Sequence, residues 1–127
     1  MKKRIEGYIP TAIDLIRDLQ IASPQGIVKN EFNGYFSSFG AAIILSGLKP
    51  ALAFFSNTKS EAARNRAKIL KAIHMLVIGG DELTVEPKDL LQYVIGHSAD
   101  EDILKAKIVD ASIALKLAVR TYQIEKT

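Results

Sequence analysis

Apolar residues return at intervals of three and four along most of this chain, the spacing of helices buried on one side. Ile9, Ala12, Ile13, Ile16 and Leu19 share one helical face, with Asp14, Arg17 and Asp18 opposite. Ser23-Pro24-Gln25-Gly26 ends that helix. A second helix is expected over Asn30 to Ser46, with Phe32, Phe36, Phe39 and Ile43 on one face. Its opposite face carries Asn33, Ser37, Gly40 and Ala41, small enough for another helix backbone to come close. Gly47 suits a left-handed C-terminal cap, and Pro50 suits the first turn of a short helix through Phe55.

Thr58-Lys59-Ser60-Glu61 reads as a capping box. The helix after it buries Ala62, Ile69, Leu70, Ile73, Leu76 and Val77 and stops at Gly79-Gly80. Glu86-Pro87 opens a shorter helix with Leu90, Leu91, Val94 and Ile95. Ser98-Ala99-Asp100-Glu101 is a second capping box, opening the longest helix, which is expected to run to about Ile124. Period-two alternation is never sustained, and Thr84-Val85 is the one hint of a strand. The expectation is an all-α fold, a single-domain helical bundle of about five to six helices spanning residues 1–127.

Composition narrows the function. The chain has 127 residues, enough for one core. It has no cysteine, which removes disulfides, thiolate nucleophiles and sulfur-ligated zinc. Met1-Lys2-Lys3-Arg4 looks like a signal-peptide start, but Glu6, Pro10, Asp14, Arg17 and Asp18 interrupt any apolar stretch after it, so export is not expected. Tyr35 to Phe55 approaches spanning length. Gly47, Lys49 and Pro50 would break it, and two short buried helices explain it better. A cytoplasmic protein with no membrane partner is expected.

Catalytic motifs are missing: there is no P-loop, no Gly-x-Ser-x-Gly and no His-Glu-x-x-His. His74 and His97 fall on different elements and read as a helix-flank and a loop histidine. Asp100, Glu101 and Asp102 at a helix start suit the helix dipole better than a cation. No enzyme, cofactor or metal is expected.

Surface chemistry is more informative. The net charge is +3. Arg64, Lys68 and Lys71 share a helix face opposite the apolar stripe, which could track repeated phosphates or be a solvated face. Arg66 falls on the apolar side, where it could snorkel, pair with a buried acid or meet a partner. The last helix carries two stripes. Leu104, Ile108, Ala111, Leu115, Ala118 and Tyr122 follow heptad spacing. Ala106, Ile113, Leu117 and Ile124 lie on the other side. Two stripes imply a helix sandwiched in the core or one that meets another chain. Lys105, Ser112, Lys116 and Gln123 lie between them, with Arg120 close by. Phe32, Phe36 and Phe39 read as core rather than as a base-stacking platform.

The run Tyr35 through Phe54 joins a helix ending in aliphatics, a Ser46-Gly47-Leu48 corner and Ala51-Leu52-Ala53-Phe54. In this it resembles the small-subunit family of the type III-B CRISPR Cmr complex, an RNA-targeting assembly. The chain departs from the family pattern in having Gly40-Ala41 where proline is frequent, and no tryptophan in its last basic segment. The resemblance implies a non-catalytic helical subunit whose copies stack beside the guide RNA filament, hold guide and target RNA, and bind other Cmr subunits. Base pairing between guide and target would then supply specificity. With that family in view, helix geometry offers Arg64, Lys68, Lys71, Lys105, Lys116 and Arg120 as phosphate contacts, and the corner adds Lys49. Ile113, Leu117 and Ile124 are the candidate protein interface. A protein-only helical adaptor is the alternative. A helix-turn-helix DNA reader ranks last, because the helix after Gly47 begins Leu48-Lys49-Pro50-Ala51 rather than with base-reading side chains.

Overall fold

The computed structural model describes residues 2–125; the expected domain's ends, Met1, Lys126 and Thr127, lie outside them. The described residues form six α-helices and one two-stranded sheet: α1 (Lys2–Asp18), β1 (Ile27–Val28), α2 (Asn30–Ser46), α3 (Leu48–Phe55), α4 (Glu61–Val77), α5 (Asp89–Gly96), α6 (Glu101–Val119) and β2 (Gln123–Ile124). A 3₁₀ turn, Ser98–Asp100, leads into α6. Among the described residues no helix is long and apolar enough to cross a membrane.

Helix α6 is the centre of the bundle, packed against α1, α2 and α4. Its heptad stripe Leu104, Ile108, Ala111, Leu115 and Ala118 is buried, together with Ala114 and Val119. Phe36, Phe39 and Ile43 of α2, Leu52 and Phe55 of α3, and Ile69, Leu70 and Ile73 of α4 complete the core. The Phe39 and Phe55 rings meet edge to face at 5.1 Å, a favoured aromatic geometry. Arg4 of α1 reaches the buried Asp110 carboxylate of α6 at 2.9 Å, which compensates a charge that would be costly alone.

Local signals set most boundaries. Gly47 has φ 97° and ψ 166°. That is positive φ as expected, but extended rather than left-handed helical, a region closed to nearly all residues with a side chain. Gly80, at φ 97°, lies so that an added Cβ would meet Val85 at 2.7 Å. The α4 cap is Ser60, not Thr58: its hydroxyl accepts the Ala63 N–H at 3.0 Å. The helix therefore begins later, Ala62 is exposed, and Ala63 and Ala67 enter the core. Glu86-Pro87 precedes α5 in a turn in which Asp89 accepts the Glu86 N–H at 2.9 Å. Ile95, expected on the buried face, is 57% exposed. No side chain caps α6, so the second capping box does not form.

Two expectations fail at the C-terminal end. Helix α6 stops at Val119, and the chain turns back so that β2 pairs in parallel with β1, Ile27 opposite Gln123 and Val28 opposite Ile124. The Gln123 and Glu125 amides donate to the Gly26 and Val28 carbonyls at 3.1 and 2.8 Å. These bonds satisfy backbone groups that a longer helix would have left to water. Tyr122 is carried off the heptad stripe, and its hydroxyl donates to the Ile13 carbonyl at 2.7 Å. The Thr84-Val85 hint gives no strand; Asp81 folds that segment into a turn by accepting the Leu83 and Thr84 amides.

Candidate nucleic-acid interface and assembly face

The α4 face begins with helix geometry. Arg64, Lys68 and Lys71 stand four and three residues apart and share one side. Arg64 is exposed, with one weak contact to the Thr58 carbonyl at 3.5 Å. Lys71 donates to the Glu82 carbonyl at 3.0 Å. Lys68 is half-buried, and the fold brings Lys29, just before α2, close to it. Burial first, then the charges of Lys29 and Lys71, holds the Lys68 ammonium below the usual lysine range. Among the described residues these three lysines form no ion pair with a carboxylate. Lys29 was not among the candidates from sequence. It lies far from α4 along the chain, and only its place after the Ser23–Gly26 turn could have drawn notice.

Arg66 points elsewhere. Its guanidinium carbon sits 4.7 Å from the centroid of the Phe54 ring, which is 60% exposed. Its buried Nε has no hydrogen-bond partner. Of the three options for this side chain, a paired buried acid is absent among the described residues; the aromatic ring holds it instead.

The second face is the open side of α6. Lys105, Lys116 and Arg120 lie along it with Ala106, Ile113 and Leu117. Lys105 and Lys116 are about 16 Å apart by helical rise. Ser112, expected within this strip, is buried instead, its hydroxyl donating to the Phe36 carbonyl at 3.4 Å. Ile113 and Leu117 are 41% and 40% exposed. Beside them lie Ser37, Gly40, Ala41 and Ile44 of α2, with Ile44 82% exposed, so the small face of α2 and the second stripe of α6 together wall one apolar groove. Lys116 borders it. Ile124 is not part of this face: it is half-buried in β2 against the core. Lys49 is engaged with Glu101 at 3.1 Å, tying the start of α3 to the start of α6.

The remaining polar candidates are occupied locally. His74 Nδ1 is 3.0 Å from the Gly79 carbonyl, and His97 Nδ1 is 2.8 Å from that of Tyr93, on whose ring it stacks. Among the described residues no three His, Asp or Glu side chains come together as metal ligands would.

A family model described as CRISPR-associated protein (Cas_Cmr5) matches residues 7–113. The chain belongs to this family. The match runs from within α1 to Ile113 of α6, so it takes in the Gly47 corner, the α4 lysines and most of the groove. It leaves out Lys116, Leu117, Arg120 and Ile124. Membership in Cas_Cmr5 makes the chain a subunit of a CRISPR Cmr complex, in agreement with the resemblance carried by the Gly47 corner. No curated protein and no solved structure matches it.

Proposed function

We propose that this chain is a non-catalytic Cmr subunit that lays RNA backbone on its α4 face and stacks with copies of itself and other subunits through the α2–α6 groove. The observation that carries the RNA role is the cluster of Lys29, Lys68 and Lys71, like charges crowded together with none of them ion-paired to a carboxylate among the described residues. Such crowding is unfavourable in the free chain and is relieved by an anion. Arg64 extends the cluster along the helix, and contacts of this kind position RNA without reading its sequence. Lys105, Lys116 and Arg120 serve as a secondary strip beside the groove. Lys49, held by Glu101, contributes least. The cytoplasm is where such an assembly would work.

The test is Lys68→Glu in the assembled complex, with RNA affinity followed across salt concentration. Affinity is expected to fall similarly for unrelated RNA sequences, with the salt slope lower by about 0.7 per lost phosphate contact on single strands. Unchanged affinity and slope in this and the matching Arg64 and Lys116 variants would leave the protein-only adaptor, the reading that the exposed Ile44–Ile113 groove favours by itself.

A further inference from the structure

We propose that the cleft between the α1–β1 turn and α4 is a seat for one phosphate group, gripped jointly by Lys29 and Lys68, with Gln20, Ser23 and Asn65 as neutral donors. The seat deepens the RNA reading above, which supplies the source of the phosphate. Those five residues, with the apolar Ile21, Ile27 and Phe32, line a concavity of about 150 Å³. They come from the turn after α1, the start of α2 and α4, so a strip along one helix does not describe them. Every polar group named can donate a hydrogen bond, as a phosphate requires. The Ser23 hydroxyl already accepts the Ile27 amide at 3.2 Å, which leaves its proton for a ligand.

Two further features fit. Gln20 has φ 59°, the one non-glycine residue among those described with positive φ, a conformation uncommon for a residue with a side chain. Glycine would relax that backbone but would remove the amide from the cleft. A neighbouring depression of about 380 Å³ shares Gln20 and Lys68 and adds Lys71. It also holds Asp18 and Glu82. Asp18 is paired with Arg17 at 3.0 Å, and neither Asp18 nor Glu82 lines the cleft that holds Lys29. The crowded ammonium of Lys68 gains most from an anion on the Lys29 side.

The experiment uses the assembled complex carrying Lys29→Ala, Lys68→Ala and the double variant, with short RNAs ending in either a free hydroxyl or a phosphate. The salt slope counts phosphates, not lysines. One shared phosphate predicts that even the double variant lowers the slope by no more than about 0.7, and that affinity falls less than the product of the two single effects. Gln20→Gly should lower affinity while leaving the melting temperature equal or higher. Equal losses on both RNAs assign the seat to an internal phosphodiester, and a larger loss on the phosphorylated RNA assigns it to a chain end; either supports the seat. A slope change of about 1.4 in the double variant means two independent contacts and overturns the seat while the RNA role stands. Silent Lys29 and Lys68 variants beside active Lys116 variants overturn it too. Wild-type binding in all of them overturns both seat and RNA role. Loss of assembly without loss of RNA affinity would assign the cleft to an acidic protein segment.

Discussion

Lys68 and Lys116 are both half-exposed lysines on the surface of long helices, yet the fold gives them opposite surroundings. Lys68 is crowded by Lys29 and Lys71 in a concave, hydrogen-bond-donating cleft. Lys116 borders a groove lined mostly by apolar and small residues, among them Phe36, Gly40, Ala41, Ile44 and Ile113. The first environment rewards an anion. The second rewards apolar contact, with the charge at its rim setting orientation more than affinity. Net charge and helical spacing are the same kind of signal at both places; the difference comes from what other elements bring alongside.

The comparison breaks most visibly at Ile113. Ile113→Asp puts a charge into the groove, and the chain is expected to fail to co-purify with its complex, a loss of about 2 kcal/mol or more at a buried interface. The isolated chain should melt within about 0.5 kcal/mol of wild type, because the site is open in the monomer. Retained assembly would remove the groove as an interface.

On the other face the expected effect of Lys68→Glu is smaller, roughly ten-fold in RNA affinity for about 1.4 kcal/mol, with assembly intact. The same residue gives a pH signature. Burial and the charges of Lys29 and Lys71 hold its ammonium below the ordinary lysine value of 10.5, so its contribution to RNA binding fades on the alkaline side before that of an exposed lysine does. A Lys68→Arg complex should keep its affinity over that alkaline range, and titration by fluorescence anisotropy compares the two.

Gly40→Ala sharpens the groove assignment. An added Cβ at Gly40 meets nothing within 4 Å. Replacing a helix-interior glycine should therefore raise stability by about 1 kcal/mol, seen as a higher melting temperature. If a helix packs closely on this face, the same methyl group weakens assembly. Smallest of all is Lys49→Ala. The Lys49–Glu101 pair is partly exposed, so its loss should cost less than about 1 kcal/mol in denaturant unfolding and leave RNA binding unchanged.

Much of this molecule was legible in local pattern. The Phe32–Phe36–Phe39–Ile43 face, the Gly47 corner and the Gly79-Gly80 stop follow from residues a few positions apart. The errors have one form. Thr58 and Ser60 both offered a hydroxyl for capping, and the chain's path into α4 chose Ser60. The helical period ran on past Val119, but the Gly26 and Val28 carbonyls offered backbone partners that drew Gln123 and Ile124 into a sheet. Ser112 looked like part of a polar strip until α2 packed over it. Lys29 carried no local signal beyond its place after the Ser23–Gly26 turn.

The sequence by itself determined that the chain is helical, where it bends at Gly47, which apolar residues share a helix face, and which family it resembles, because helix periodicity and glycine conformation are short-range properties of the chain. Tertiary structure decided which lysines crowd one another, which apolar stripe stays open and where the last helix ends. Those outcomes depend on groups brought together from distant segments, whose charges, carbonyls and surfaces meet only once the core has closed.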